Sequence, residues 1–368
     1  MPIPFTALVA GLPAAIPFVA PEAMERERGR LFRARIGANE SAFGISPKAL
    51  AAIIEGASGV AWYGDPENYL LREALAARHG VSIDEICVDA GIDSLLGLIV
   101  RMLVAPGASV VTSRGAYPTF NYHVAGFGGV LDLIDYNDDH EDALALVERG
   151  RECRAPLIYL ANPDNPMGTW HAAQTIHRAI AQVPSGSVLA LDEAYAEFAP
   201  AGVIPGIDTR CDRVLRLRTF SKAYGMAGMR IGYAIGHRDL ITGLNKVRNQ
   251  FAVNRLAQAA ALASLHDDDF LAQVQARVQA GRERIYALAA RHGLAWLPSA
   301  TNFVAVDLGT TERATRVRDA LLDQDVFVRM PGVAPLNRTI RIGVGREDEH
   351  EWLSQAFASV IAADAARG

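Results

Sequence analysis

Three short apolar runs, at residues 157–160, 188–191 and 214–217, constrain the fold of these 368 residues more than any other feature. Leu, Ile and Val dominate each run, and each hands over at once to polar side chains. The first leads into Asn162-Pro163-Asp164-Asn165-Pro166, the second into Asp192-Glu193-Ala194-Tyr195, and the third into Arg218-Thr219-Phe220-Ser221-Lys222. Such runs read as strands. Three strands that all deliver polar groups at their C-terminal ends describe the edge of an open parallel α/β sheet where ligands bind.

Lys222 sits on a tight turn between the run at 214–217 and a second one at 231–235, with Gly225, Gly228 and Gly232 nearby. The small hydroxyls of Thr219 and Ser221 flank it, and Arg230 follows eight residues later. A lysine in that setting suits an imine to an aldehyde cofactor whose phosphate needs donors close by. Upstream, Asp89-Ala90-Gly91-Ile92-Asp93 leads from the strand at 86–88 into an apolar helix at 94–104. A glycine turn feeding a helix N-terminus offers free N–H groups and the positive end of a dipole, which favours a phosphate dianion.

The length fits one large and one small domain, and no apolar run approaches the roughly 20 residues that cross a bilayer. A net charge of −5, from 36 basic and 41 acidic residues spread along the chain, argues against a nucleic-acid or polybasic membrane surface. Cys87, Cys153 and Cys211 are far apart and fit neither metal-ligand nor redox-pair spacing, so free thiols in a reducing cytoplasm are expected. The nine histidines show no ligand pattern; His171 and His177 read as surface residues, and no metal is expected.

The order Asn165, Asp192, Tyr195, Lys222, Arg230, at spacings of twenty-seven, three, twenty-seven and eight residues, resembles the fold-type I pyridoxal-phosphate (PLP) aminotransferases, and within them the histidinol-phosphate aminotransferase family. The resemblance implies an α/β fold: a large, doubly wound, mostly parallel sheet domain with a smaller α+β C-terminal lobe. It divides the chain into an arm (1–34), a PLP-binding domain (35–255) and a small domain (256–368). By matching position, Lys222 would hold the cofactor and act as general acid and base, with Asp192 and Tyr195 as its catalytic partners. Asp192 would face the pyridine nitrogen; Tyr195 and Asn165 would donate to the phenolic oxygen. Gly91, Ile92, Asp93, Thr219, Ser221 and Arg230 would hold the phosphate, and Tyr117 would stack on the ring.

The same resemblance implies a homodimer in which Tyr63, from Trp62-Tyr63-Gly64-Asp65-Pro66, reaches the partner's phosphate; Gly64 stands where the family carries proline. Asn39, in Gly37-Ala38-Asn39-Glu40, falls at the mouth of the site, and Phe18 falls where the family's arm carries a tyrosine near the substrate. In the C-terminal lobe, Arg329 and Arg341 lie in apolar strand contexts and match the family's substrate-anion arginines. A guanidinium matches a carboxylate or phosphate through two hydrogen bonds; an internal ion pair is the competing account. The reaction implied is amino transfer from histidinol phosphate to 2-oxoglutarate. An aromatic amino-acid donor, or a decarboxylase of the threonine-phosphate type on the same scaffold, remains open.

Overall fold

The structure, a computed structural model, describes residues 3–13 and 20–366. Phe18 lies outside the described residues. The strands in chain order are β1 (Ala34–Arg35), β2 (Ile86–Asp89), β3 (Ser109–Ser113), β4 (Val130–Ile134), β5 (Leu157–Ala161), β6 (Val188–Asp192), β7 (Val214–Thr219), β8 (Gly232–Gly236), β9 (Ala295–Trp296), β10 (Phe303–Asp307), β11 (Val326–Phe327) and β12 (Thr339–Gly343).

A seven-stranded sheet, order β2-β8-β7-β6-β5-β3-β4, forms the large lobe. Its strands pair in parallel except where β8 runs against both β7 and β2. The apolar runs are unbroken because both faces of the sheet are covered. Leu157 and Tyr159 of β5 pack with Leu95, Leu96, Ile99 and Val100 of the helix Ile92–Leu103 on one face. Ile158 and Leu160 pack on the other against Leu146 and Val147 of Ala143–Glu152 and Ile176 and Ala179 of Ala173–Gln182. Burying each large aliphatic side chain contributes roughly 1.5–3 kcal/mol, so this double-sided packing fixes where the strand ends lie.

The C-terminal lobe is built on the antiparallel sheet β12-β10-β9, covered by the helices Asp268–Arg291, Thr311–Asp323 and Glu347–Ala365. The short strand β1 pairs in parallel with β11, so the chain runs along this lobe before it enters the large sheet. The Ile36 carbonyl accepts from Gly343 N at 2.6 Å at the end of β12. This early excursion places Asn39 and Glu40 between the two lobes, beside the C-terminal ends of β6 and β7.

Candidate active site

The polar ends of β5, β6 and β7 converge on a cavity of about 500 Å3 whose lining includes Asn165, Asp192, Tyr195, Thr219, Ser221, Lys222 and Arg230. Asp192 closes β6 and is buried. Its Oδ2 accepts from the Tyr159 hydroxyl at 2.8 Å and its Oδ1 from Ala194 N at 3.0 Å. Burial pushes its carboxyl up to about 6, although both donors pull the other way. Next to it, burial would raise the Glu193 carboxyl, but Arg218 and Arg216 outweigh that and leave it below the usual range. Arg216 Nη2 at 2.5 Å and Arg218 Nε at 2.8 Å hold Glu193 beneath the site.

Lys222 is half-buried on the turn after β7, and its Nζ donates to the Asn39 carbonyl at 3.0 Å. Tyr195 Oη accepts from Asn39 Nδ2 at 3.0 Å, so its own proton is left to donate elsewhere. Asn165 Oδ1 accepts from Arg341 Nη1 at 2.7 Å, which likewise leaves the Asn165 amide N–H groups to donate.

At the other end of the cavity the helix Ile92–Leu103 begins at Gly91 with no side-chain cap, so its first N–H groups are open to the cavity side where Ile92 and Asp93 sit. Gly91 has φ 88° and ψ 171°, a conformation that is essentially glycine's alone. A Cβ there would come within 2.6 Å of Arg230 Nη2, so the missing side chain is what lets that guanidinium lie over the turn. Arg230 also approaches Asp93 Oδ2 at 3.4 Å and Ser221 Oγ at 3.5 Å, and the Ser221 and Thr219 hydroxyls are 2.9 Å apart. Tyr117 lines the cavity between the two ends. Its hydroxyl donates to Asp93 Oδ1 at 2.7 Å, and burial raises it above the ordinary tyrosine range.

The sequence pattern of the aminotransferase class I and II family matches residues 35–357. The chain belongs to the class I and II aminotransferases. Histidinol-phosphate aminotransferase 2 of Pseudomonas aeruginosa is 36% identical to it, over 90% of this chain and 89% of that one. Histidinol-phosphate aminotransferase of Roseiflexus castenholzii is 37% identical, over 89% of each. The crystal structure of histidinol-phosphate aminotransferase from Sinorhizobium meliloti in complex with pyridoxal-5'-phosphate matches at a TM-score of 0.94 and 48% identity, covering 98% of both chains. The fold is accordingly that of the fold-type I aminotransferases.

Ten of the residues singled out in the sequence line this aminotransferase's cavity: Ile92, Asp93, Tyr117, Asn165, Asp192, Tyr195, Thr219, Ser221, Lys222 and Arg230. Arg341 comes to its edge through Asn165, with its guanidinium 5.0 Å from the centre of the Phe303 ring. Burial lowers the Arg341 pKa, and its Nε has no partner among the described residues. Arg329 is joined to Arg341 backbone to backbone and is not among the cavity lining. Burial first and Arg341 second push it down to about 10. Tyr63 lies away from the chain's own cavity, 77% exposed, with its ring 4.7 Å from that of Phe251.

His171 departs from the surface placement expected of it: it is half-buried, with Nε2 2.5 Å from the Glu141 carbonyl. Sequence reasoning also passed over Tyr159, Glu22, Arg35 and Asn302. Tyr159 carries the one hydroxyl in its apolar run, and that was the available signal. Glu22 and Arg35 form an ion pair at the cavity mouth, at a spacing of 13 residues that matches no helix or strand period.

Proposed function

We propose that this chain is a PLP-dependent aminotransferase that takes its amino group from histidinol phosphate and passes it to 2-oxoglutarate. The observation that carries the reading is the cavity with a buried carboxylate and a lysine at one end and uncapped helix N–H groups beside an arginine at the other. The residues fit the cofactor. The Gly91 turn leaves room that any side chain would fill, and the Ile92–Asp93 N–H groups, the Ser221 and Thr219 hydroxyls and Arg230 form a donor set suited to a phosphate.

When bound, PLP supplies an aldehyde for the amino group and a protonated pyridine ring that draws electrons from the donor's α-carbon. Lys222 Nζ is the amine that holds the aldehyde. Once released, it would take the proton from the donor's α-carbon and deliver it to the cofactor carbon that carried the aldehyde, and would run the same transfer in reverse for the oxo acid. Asp192, fixed from two sides by Tyr159 and Ala194, keeps the pyridine nitrogen protonated. Tyr195 and Asn165 present their free protons to the phenolic oxygen, because their other valences are taken by Asn39 and Arg341. Tyr117, held by Asp93, presents a flat ring for stacking.

The buried Arg341 favours an anionic substrate, since an anion offsets the cost of its burial. The relatives' names point to histidinol phosphate as the donor, whose phosphate Arg341 and Arg329 would receive, with Asn39 at the mouth. The homodimer is supported by an exposed apolar set, Val60, Trp62, Tyr63, Leu70 and Phe251, each at least half exposed in one subunit. Among the described residues no helix is long and apolar enough to cross a membrane, and the three cysteines are free, which supports a cytoplasmic enzyme.

The test is kcat/KM for histidinol phosphate, phenylalanine and tyrosine with 2-oxoglutarate, on the wild-type enzyme and on Arg329→Ala. Histidinol phosphate should be preferred, glutamate should appear, and Arg329→Ala should reduce that preference. Carbon dioxide released in place of glutamate would make the enzyme a lyase. A preference for phenylalanine that survives Arg329→Ala would assign an aromatic donor and leave Arg341 as the sole anion anchor.

A further inference from the structure

Asn302 lies outside the cavity lining, yet it holds the group that holds Lys222. It is 2% exposed and stands immediately before β10. Its Nδ2 donates to the Asn39 carbonyl at 3.2 Å and to the Glu40 carbonyl at 3.1 Å. The Asn39 carbonyl is the same atom that receives Lys222 Nζ at 3.0 Å, and the Asn39 amide is the donor to Tyr195 Oη. Two reacting side chains therefore rest on one residue of the mouth segment, and the Asn302 amide of the C-terminal lobe grips that residue's carbonyl.

The arrangement needs such a clamp. Asn39 has φ 57°, a left-handed conformation that a non-glycine residue keeps only where its surroundings hold it. Asn302 is itself fixed from behind. Its carbonyl accepts from Val344 N at 2.8 Å, Thr301 N bonds Ser299 Oγ at 3.1 Å, and Ala300 N bonds the Gly168 carbonyl at 2.9 Å on the loop that carries Asn165. The turn at 299–302 thus touches the Asn165 loop and the mouth segment together.

We propose that Asn302 is a positioning residue for Lys222: its side-chain amide fixes the Asn39 carbonyl that receives the free amino group of that lysine. The catalytic meaning rests on the reading of Lys222 given above. In the part of the cycle when Lys222 is not bonded to the cofactor, its amino group must stay aimed into the cavity to carry a proton. The Asn39 carbonyl is the acceptor that keeps it there. Without the clamp the lysine stem regains its rotamers and the mouth segment can leave its left-handed turn.

The test needs no cofactor. The chain has three lysines, Lys48, Lys222 and Lys246, and the first and last are exposed, so they serve as internal references for labelling with an acetylating reagent. In the cofactor-free Asn302→Ala protein, labelling of Lys222 relative to the other two should rise roughly three- to tenfold, the worth of one hydrogen bond. In the holoenzyme kcat should fall about tenfold or more while KM for the donor moves far less. Asn302→Leu, which fills the volume without a donor, should behave alike. An unchanged labelling ratio in a folded variant would overturn the proposal. Should neither variant fold, a crystal structure of the cofactor-free wild-type protein decides: Nζ within hydrogen-bond distance of the Asn39 carbonyl supports the clamp, and a lysine turned elsewhere refutes it. A borohydride-reducible imine to the cofactor that persists in Lys222→Ala would refute the proposed role of Lys222 and leave the labelling result standing on its own.

Discussion

Asp192 is the residue at which function and stability pull apart. Its carboxyl rises from 3.8 to about 6 because burial disfavours the charge. A carboxyl whose folded pKa is raised binds its proton more tightly in the native state. Its stabilising contribution is full below the unfolded value near 4 and is lost as pH rises through about 6. In the cofactor-free protein this costs up to about 3 kcal/mol at pH 8. Asp192→Asn removes that cost but leaves either the Tyr159 hydroxyl or the Ala194 N–H without an acceptor, so the net gain should be about 1–2 kcal/mol. We expect Asp192→Asn to unfold at higher urea than wild type at pH 8, with the gap closing by pH 4, while turnover drops by several orders of magnitude. Equal urea midpoints at pH 8 would show that Asp192 is not charged in a dry site. Lys222→Ala should abolish both the imine absorbance of the holoenzyme and glutamate formation; an imine that persists would place the cofactor on another amine.

The strand ends were legible because two signals coincide there: apolar runs covered on both faces, and the abrupt switch to polar side chains at Asn165, Asp192 and Lys222. The helix Pro118–Gly126 was not legible, because Tyr122 and His123 interrupt its apolar spacing and only Phe120 and Val124 are buried. Strand β1, two residues long, is too short to show a period, so its pairing with β11, which brings Asn39 to Lys222, left no trace in the sequence. Tyr159 was hidden for the opposite reason: its ring packs at 4.5 Å from that of Phe120 as an apolar residue would, and only its hydroxyl acts on Asp192. The Gly91 turn is the element most open to test. Gly91→Ala forces a Cβ into a backbone conformation that costs about 1–3 kcal/mol for other residues, and pushes Arg230 off the turn. Cofactor affinity, measured by equilibrium dialysis, should fall about tenfold or more, with the folded chain retained because the helix Ile92–Leu103 keeps its buried face. Unchanged affinity would mean that the phosphate does not sit at this helix.

At the scale of the whole molecule, the chain leaves a group of exposed aromatics away from the cavity. Trp62 is 70% and Tyr63 77% exposed, and Phe251, half exposed, packs against Tyr63 from a distant part of the chain. The backbone beneath them is held firmly. Arg255 Nη2 donates to the Tyr63 carbonyl at 2.9 Å, and a side chain at Gly64 would meet Gln258 Nε2 at 2.5 Å and the Val253 carbonyl at 3.1 Å. Exposed aromatics on a fixed backbone are what a subunit interface requires, since little ordering entropy is lost when they are covered. If a second copy covers them and Tyr63 reaches that copy's phosphate site, as the sequence resemblance implies, each site draws on two chains. Lys222→Ala and Tyr63→Ala should then each be nearly inactive, yet mixing them under conditions of subunit exchange should restore about a quarter of wild-type activity: half of the dimers are mixed, and each mixed dimer holds one intact site. The mixed dimers should carry one yellow cofactor where Lys222 is intact. Exchange demonstrated by mass, with no activity regained, would show that each site is built within a single chain and that the exposed aromatics serve another contact.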